Sequence, residues 1–228
     1  MFSVIIPTMW RFDPFCTFLE DLIALSNIGE VIIINNDKDK TPQVPVLRNH
    51  KIKMWYFDDN IGVNPAWNYG VSKAYSDKIA IVNDDIIFDL KLFSKIEDLV
   101  TPDKGVYGIC PGEKLFGQTQ VSKGLIDFVP TKENYSNETH FGFGQLMIMN
   151  KKNWIPIPDG LKIYWGDNFI YMTQLIKTRC NYMITDMFHY TPCATTTSQL
   201  KDTDTIIRQE GLIYRDKAGP ILESLRNA

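Results

Sequence analysis

The residues of this chain best suited to chemistry stand at the end of an apolar run. Ile79 to Val82 is continuous, β-branched and too short for a helix of its own, the pattern of a fully buried strand. It leads straight into Asn83, Asp84 and Asp85 before the chain turns apolar again through Phe88. In an open α/β sheet, ligands bind beyond the carboxyl ends of strands. Two adjacent acids with an amide oxygen beside them suit a hard divalent cation such as manganese or magnesium, one that shares its shell with a substrate phosphate. The same peptide also suits an ordinary strand-to-turn junction, where Asn and Asp are favoured for their backbone hydrogen bonds. Taken alone, it leaves both readings open.

The elements that would position this cluster alternate. Phe2 to Ile6 reads as a buried strand stopped by Pro7, and Pro14 to Leu25 has helical spacing through Phe15, Phe18, Leu19, Leu22, Ile23 and Leu25. Glu30 to Ile34 and Ile52 to Phe57 read as two more strands, and a helix from Pro65 to about Ala74 leads into the Ile79 strand. Such alternation implies a parallel, doubly wound sheet. Strand ends at Asn35-Asn36-Asp37, Asp58-Asp59-Asn60 and Asn83-Asp84-Asp85 then line one polar rim. Beyond Asp89, Lys91 to Leu99 reads as helix, Val106 to Ile109 and Gly144 to Met149 as strands, Asn168 to Ile176 as helix and Tyr182 to Thr185 as a short strand. Between them, Pro111 to Phe143 has little periodicity and is expected to be a functional loop or lid. An amphipathic tail follows from Gln199.

Composition bounds the class. With 228 residues, 44% hydrophobic and 12% aromatic, the chain can bury a substantial core as a globular protein. No apolar stretch has the length of a bilayer span, and the start lacks the features of a signal peptide, so a soluble cytoplasmic protein is expected. A net charge of -3 argues against a protein that coats nucleic acid. Cys16, Cys110, Cys180 and Cys193 form no CxxC pair, so neither a zinc knuckle nor a redox motif is indicated.

The stretch Asn60-Ile-Gly62-Val-Asn-Pro-Ala66-Trp-Asn68-Tyr-Gly70-Val-Ser-Lys-Ala74 resembles the N-x-G-x-x-x-A-R-N-x-G-x-x-x-A signature of glycosyltransferase family 2. The resemblance implies the GT-A fold, a three-layer α/β/α domain around a mostly parallel sheet. It spans 1–228 as one domain: a nucleotide-sugar half to about residue 110, an acceptor-side half from 111 to 198, and a helical tail from 199. By the same resemblance, Gly62 makes a turn, Ala66 and Asn68 face a nucleotide over the sheet, and Gly70 and Ala74 permit close helix packing. Trp67 replaces the signature's Arg.

Other landmarks follow the family's order and imply roles. Pro7 and Thr8 end the first strand near the nucleotide, with Arg11 on the loop beyond. Asn36 and Asp37 stand where an acid or amide reads the base edge, and Asn60 opens the signature. Asn83-Asp84-Asp85 resembles the N-x-D variant of the metal motif, making Asp85 the expected metal ligand with Asn83 a weaker partner and Asp84 touching the turn or donor ribose. His189 matches the late histidine that completes a metal site; His50 and His140 have no such support. Tyr164-Trp165-Gly166-Asp167-Asn168 resembles the E-D motif, with Gly166 in place of the Glu and Asp167 as general base. Tyr164, Trp165 and Trp154 are candidates to stack on a sugar.

The reaction so implied is inverting transfer of a sugar from a nucleoside diphosphate sugar, expected to be a UDP-sugar, to an acceptor hydroxyl. A divalent metal would sit on the diphosphate. A carboxylate with an ordinary pKa of about 3.9 is a weak base, so proton transfer to it comes late. The acceptor classes left open are a saccharide, a protein and a hydroxymethylated base in DNA. A nucleotidyltransferase and a catalytically weak sugar-nucleotide-binding protein are the competing readings. The first usually has a Gly-rich basic loop where this chain has Met9-Trp10-Arg11-Phe12.

Overall fold

Three buried runs rich in β-branched residues and a half-buried fourth strand build the half of the sheet that the site uses. The computed structural model describes residues 1–109, 126–131, 143–191 and 202–227. Strand β1 (Phe2–Thr8) pairs in parallel with β2 (Ile28–Asn35) on one side and with β4 (Lys78–Val82) on the other; β3 (Ile52–Tyr56) extends the sheet beyond β2. The chain therefore runs outward from β1 to β3 and returns to the opposite side of β1 at β4. That reversal opens a crevice at the carboxyl ends of β1 and β4.

The other half continues the same sheet. Strand β8 (Leu146–Asn150) lies antiparallel to β4, β6 (Tyr107–Gly108) lies antiparallel to β8, and β9 (Asn181–Thr185) lies parallel to β6. The order is β3-β2-β1-β4-β8-β6-β9-β7, where β7 (Asp127–Thr131) pairs antiparallel with β9. Thus the sheet is mostly parallel, as expected, with β8 and β7 reversed. A separate two-stranded ribbon joins β5 (Ile87–Phe88) to β10 (His189–Tyr190), setting His189 opposite Phe88.

Alternation along the buried strands supplies both faces with apolar side chains. Val4, Ile6, Val31, Ile33, Ala80 and Val82 point to one core with helix α1 (Phe15–Ala24) and helix α3 (Lys91–Ile96). Ile5, Ile32, Ile34, Ile79 and Ile81 point to the other, covered by α2 (Val63–Lys73) and α4 (Gly166–Thr178). The tail forms α5 (Thr203–Ile213) and α6 (Gly219–Arg226), joined by a π-helical stretch at Tyr214–Ala218; Leu222 of α6 reaches this second core. Three layers result, the GT-A fold.

Several expectations change. The segment expected to be irregular from Pro111 to Phe143 contains β7, an edge strand whose pairing comes from β9 far along the chain. Residues 110–125 and 132–142 lie outside the described residues, and with them most of this segment, its lid role, Cys110 and His140. Residues 192–201, which include Cys193 and the start of the tail, also lie outside them; Cys16 and Cys180 are free thiols. The strand at Val106 to Ile109 shortens to two residues. Among the described residues, no helix is long and apolar enough to cross a membrane.

Candidate active site

Three loops leave the carboxyl ends of β1, β2 and β4 side by side. Thr8, buried at the end of β1, donates from Oγ1 to Oδ2 of Asp84 at 2.6 Å and accepts the Trp10 N–H at 2.9 Å. This bond closes the crevice between β1 and β4. The Asn36 N–H donates to the Thr8 carbonyl at 2.9 Å, so the β2 loop joins the same floor. Asn36 is buried, yet its Oδ1 has no hydrogen-bond partner. A buried acceptor without a donor is costly, and here it suits an N–H from a bound base edge. Asp37 is held by Lys40 at 3.0 Å, and its N–H donates to Asn35 Oδ1. Pro7 is buried within β1, while Arg11 stands exposed on the loop.

The acidic turn carries unequal acids. Asp85 is buried, at 4% exposure. Burial pushes Asp84 up to about 6; the bond from Thr8 opposes the rise and the charge of Asp85 reinforces it. The Asn83 N–H donates to Gln145 O at 3.0 Å, which fastens this turn to the residues before β8. His189 is buried, its Nδ1 3.4 Å from Met187 O and its Nε2 without a partner; burial pushes its pKa down. A neutral imidazole with an open nitrogen is a competent metal ligand. Among the described residues, however, no three His, Cys, Asp or Glu side chains are gathered closely enough to hold a metal ion. Asp84, Asp85 and His189 therefore form no closed protein cage.

Asp84 yields a stability prediction. A carboxyl that binds its proton more tightly in the fold than in the unfolded chain makes folding favour the protonated form. The folded state is unpenalised below about pH 4 and loses up to about 3 kcal/mol as pH rises to about 6, at 1.36 kcal/mol per pKa unit. Asp84→Asn, which can still accept the Thr8 bond, is expected to unfold at higher temperature than the parent near about pH 7.5, with the gap closing near about pH 4. A gap independent of pH in calorimetry would contradict this assignment.

The signature helix also braces a neighbouring segment. Gly62 caps α2 with φ 88°, a left-handed conformation suited to glycine, and a Cβ there would lie 2.5 Å from the Lys162 carbonyl oxygen. Asn60 supports that turn by accepting the Gly62 N–H at 2.9 Å. Asn68 donates to Ile157 O at 2.8 Å and accepts the Ile157 N–H at 2.9 Å, which ties α2 to the backbone at residue 157. Ala66 and Trp67 are buried in the second core. Gly70 does serve close packing: a Cβ there would lie 2.3 Å from Ile5 Cγ2. Asn64, which the sequence reading missed, is fully buried, donates from its N–H to Lys162 O at 3.1 Å and from Nδ2 to Tyr164 O at 3.0 Å. The helix thus braces residues 157–166 against the sheet.

That braced segment delivers Asp167. Trp165 takes a left-handed conformation, φ 66°, and caps α4, placing Asp167 in its first turn with Oδ1 accepting the Asn168 N–H at 3.0 Å. A Cβ added to Gly144 would lie 2.8 Å from Asp167 Oδ2. Gly144 adjoins Gln145, which holds Asn83, so the carboxylate stands at the same rim as the acidic turn. Tyr214 lies close by: burial first, then the charge of Asp167, pushes its phenol up to about 12. Trp165, a candidate to stack on a sugar, packs its ring on Tyr214 at 5.4 Å and donates from Nε1 to Ile207 O at 3.0 Å. Trp154 packs against the second core.

With the geometry in place, comparisons with known proteins add the lineage. The family model described as "Glycosyl transferase family 2" matches residues 3–179. S. aureus TarS 1-349 in complex with UDP-GlcNAc aligns with TM-score 0.62 at 18% identity, over 91% of this chain and 64% of that one. Another structure of TarS 1-349 gives TM-score 0.60 at 20% identity, over 83% and 60%. GalNAc-T7 with UDP, GalNAc and Mn2+ gives 0.56 at 12% identity, over 84% and 43%. This chain spans about three fifths of the TarS 1-349 chain, and at these identities the likeness is one of fold. No curated protein matches the sequence.

Proposed function

Since this chain belongs to glycosyl transferase family 2, we propose that it moves a sugar from a nucleoside diphosphate sugar, a UDP-sugar in the first instance, to an acceptor hydroxyl with inversion. The observation that carries this reading is the Asp167 carboxylate at the rim of the β1–β4 crevice, beside the residues that hold Asn83. One side of the rim then offers a donor site and the other a base. Asn36 Oδ1, buried and unpartnered, receives an N–H of the donor's base. TarS was solved with UDP and with UDP-GlcNAc, and GalNAc-T7 with UDP, which supports uridine as the first base to test.

Asp167 takes the proton of the acceptor hydroxyl as its oxygen bonds to the anomeric carbon. The bond from that carbon to the diphosphate oxygen breaks, and the nucleoside diphosphate leaves with the electron pair. Inversion follows because attack and departure occupy opposite faces of the sugar. Asp85, buried beside Asp84 and repelling its charge, would hold a manganese or magnesium ion, a hard cation suited to carboxylate oxygens. Such an ion, when bound, stabilises charge on the leaving diphosphate. His189, with its Nε2 open, lies on the β5–β10 ribbon that begins two residues after Asp85, though it is not gathered with the two acids into a three-residue metal site among the described residues.

Calorimetry with UDP-sugars tests the donor side. In the parent, manganese is expected to tighten donor binding by at least about tenfold, or about 1.4 kcal/mol. In Asp85→Ala that metal dependence is expected to vanish while metal-free affinity stays the same. Retained metal dependence would remove Asp85 from the metal site, and absence of binding by every nucleotide sugar would end the transferase reading.

A further inference from the structure

The segment between Ile157 and Gly166 is gripped from two sides by residues outside the proposed chemistry. Toward α2, the carbonyls of Lys162 and Tyr164 accept from Asn64. Toward α5, Glu210 accepts from three successive backbone amides: Lys162 at 3.1 Å, Ile163 at 3.2 and 3.1 Å to its two oxygens, and Tyr164 at 2.7 Å. Glu210 is buried, at 6% exposure. Consecutive amides around one carboxylate form an anion nest, and hydrogen bonds to an acidic group of this kind are the strong ones.

The grip lies directly before the residue that needs aiming. Trp165, next in the chain, is held by its indole bond to Ile207, one turn before Glu210 on the same helix, and it turns the backbone left-handed at φ 66°. A left-handed conformation at a bulky residue persists only where its surroundings over-determine it. Two residues on is Asp167. A general base must reach the proton it removes, and a misplacement of about 1 Å can cost about a hundredfold in rate.

We infer that Glu210 is a positioning residue for Asp167: by fixing the amides of residues 162–164 it sets where the first turn of α4 presents its carboxylate, which makes α5 part of the active unit. This rests on Asp167 being the base, and it goes beyond that reading by assigning a function to the tail. The family match ends at residue 179, so Glu210 and α5 lie in a part of the chain that the family model does not reach, while the amides they hold lie within it.

Glu210→Gln tests it, since the near-isosteric amide keeps one acceptor oxygen and loses the charged grip. Expected are a kcat at least about tenfold lower per folded molecule, a donor KM within about twofold of the parent, and a shifted acid limb of the pH–rate profile. Faster hydrogen exchange at residues 162–165 is expected alongside. The same substitution in an Asp167→Asn background is expected to add little further loss, because both act through one group. An unchanged kcat and acid limb in Glu210→Gln would overturn the inference, as would a full additional loss in the Asp167→Asn background. Near-parental turnover of Asp167→Asn alone would instead overturn the base assignment, so the two failures are separable. Should Glu210→Gln not fold, Glu210→Asp, which keeps the carboxylate one methylene short, is read by the same measurements against the same limits.

Discussion

Asp167→Asn is expected to lower kcat by about 10²- to 10⁴-fold, the usual contribution of a positioned general base, with the fold intact. The amide oxygen of Asn can still accept the Asn168 N–H that Oδ1 of Asp167 accepts at 3.0 Å, so the first turn of α4 keeps its local bond. What disappears is one negative charge near a helix N-terminus, worth about 0.3–1 kcal/mol of stability. The loss should therefore appear in turnover and scarcely in the unfolding midpoint. Donor KM is expected to hold, because the donor-side groups Thr8, Asn36 and Asp84 belong to the β1, β2 and β4 loops. Tyr214 supplies a readout independent of catalysis. Part of the rise of its phenol to about 12 comes from the Asp167 charge, so the substitution lowers its pKa, visible in an ultraviolet phenolate titration. Release of nucleoside diphosphate at near-parental rate would take the base role away from Asp167.

In the sheet half built from β1 to β4, β1, β2 and β4 were legible as short apolar runs buried on both faces, and β2 and β4 lead into Asn and Asp, whereas β3 is an exposed-edge strand with one β-branched residue. The sequence says less where pairing is made elsewhere. Strands β5 and β10 are two residues each and exist only through one another, and β7 includes Pro130, which an edge strand tolerates but a sequence pattern penalises. The order of the landmarks was readable; their directions were not. Ala66 and Asn68 fit a signature, and spacing alone could not say whether that signature touches a ligand or braces a neighbouring segment. The bonds of Asn68 to Ile157 and of Asn64 to residues 162–164 show a bracing role that spacing did not reveal.

Glu210 was missed although a signal existed. In the tail, Ile206, Ile207, Glu210, Ile213 and Tyr214 follow helical spacing, so the acid stands on the apolar stripe. An acid there is expensive unless it is bonded. That conflict is resolved by three amides supplied from residues 162–164, a partner that only the folded chain brings near.

Restoring the family's Glu by Gly166→Glu is expected to destabilise this protein by about 2–6 kcal/mol, combining overpacking at about 1–3 kcal/mol with the loss of a buried hydrogen bond at about 1–3 kcal/mol. A Cβ at position 166 would lie 2.0 Å from Asn64 Oδ1 and 2.4 Å from its Cγ. Asn64 has nowhere to go: it is fully buried and its Nδ2 is committed to the Tyr164 carbonyl. Because the clash begins at Cβ, Gly166→Ala is expected to cost most of what Gly166→Glu costs, which urea unfolding can measure. Truncating the obstruction with Asn64→Ala in the Gly166→Ala background is expected to recover part of the loss, with a coupling energy of about 1 kcal/mol or more in the double-mutant cycle. A Gly166→Ala protein as stable as the parent would refute the packing account. On that account the buried Asn64 that braces the segment leading to Asp167 leaves no room for a side chain at position 166, so bracing and a carboxylate at 166 exclude each other in this fold.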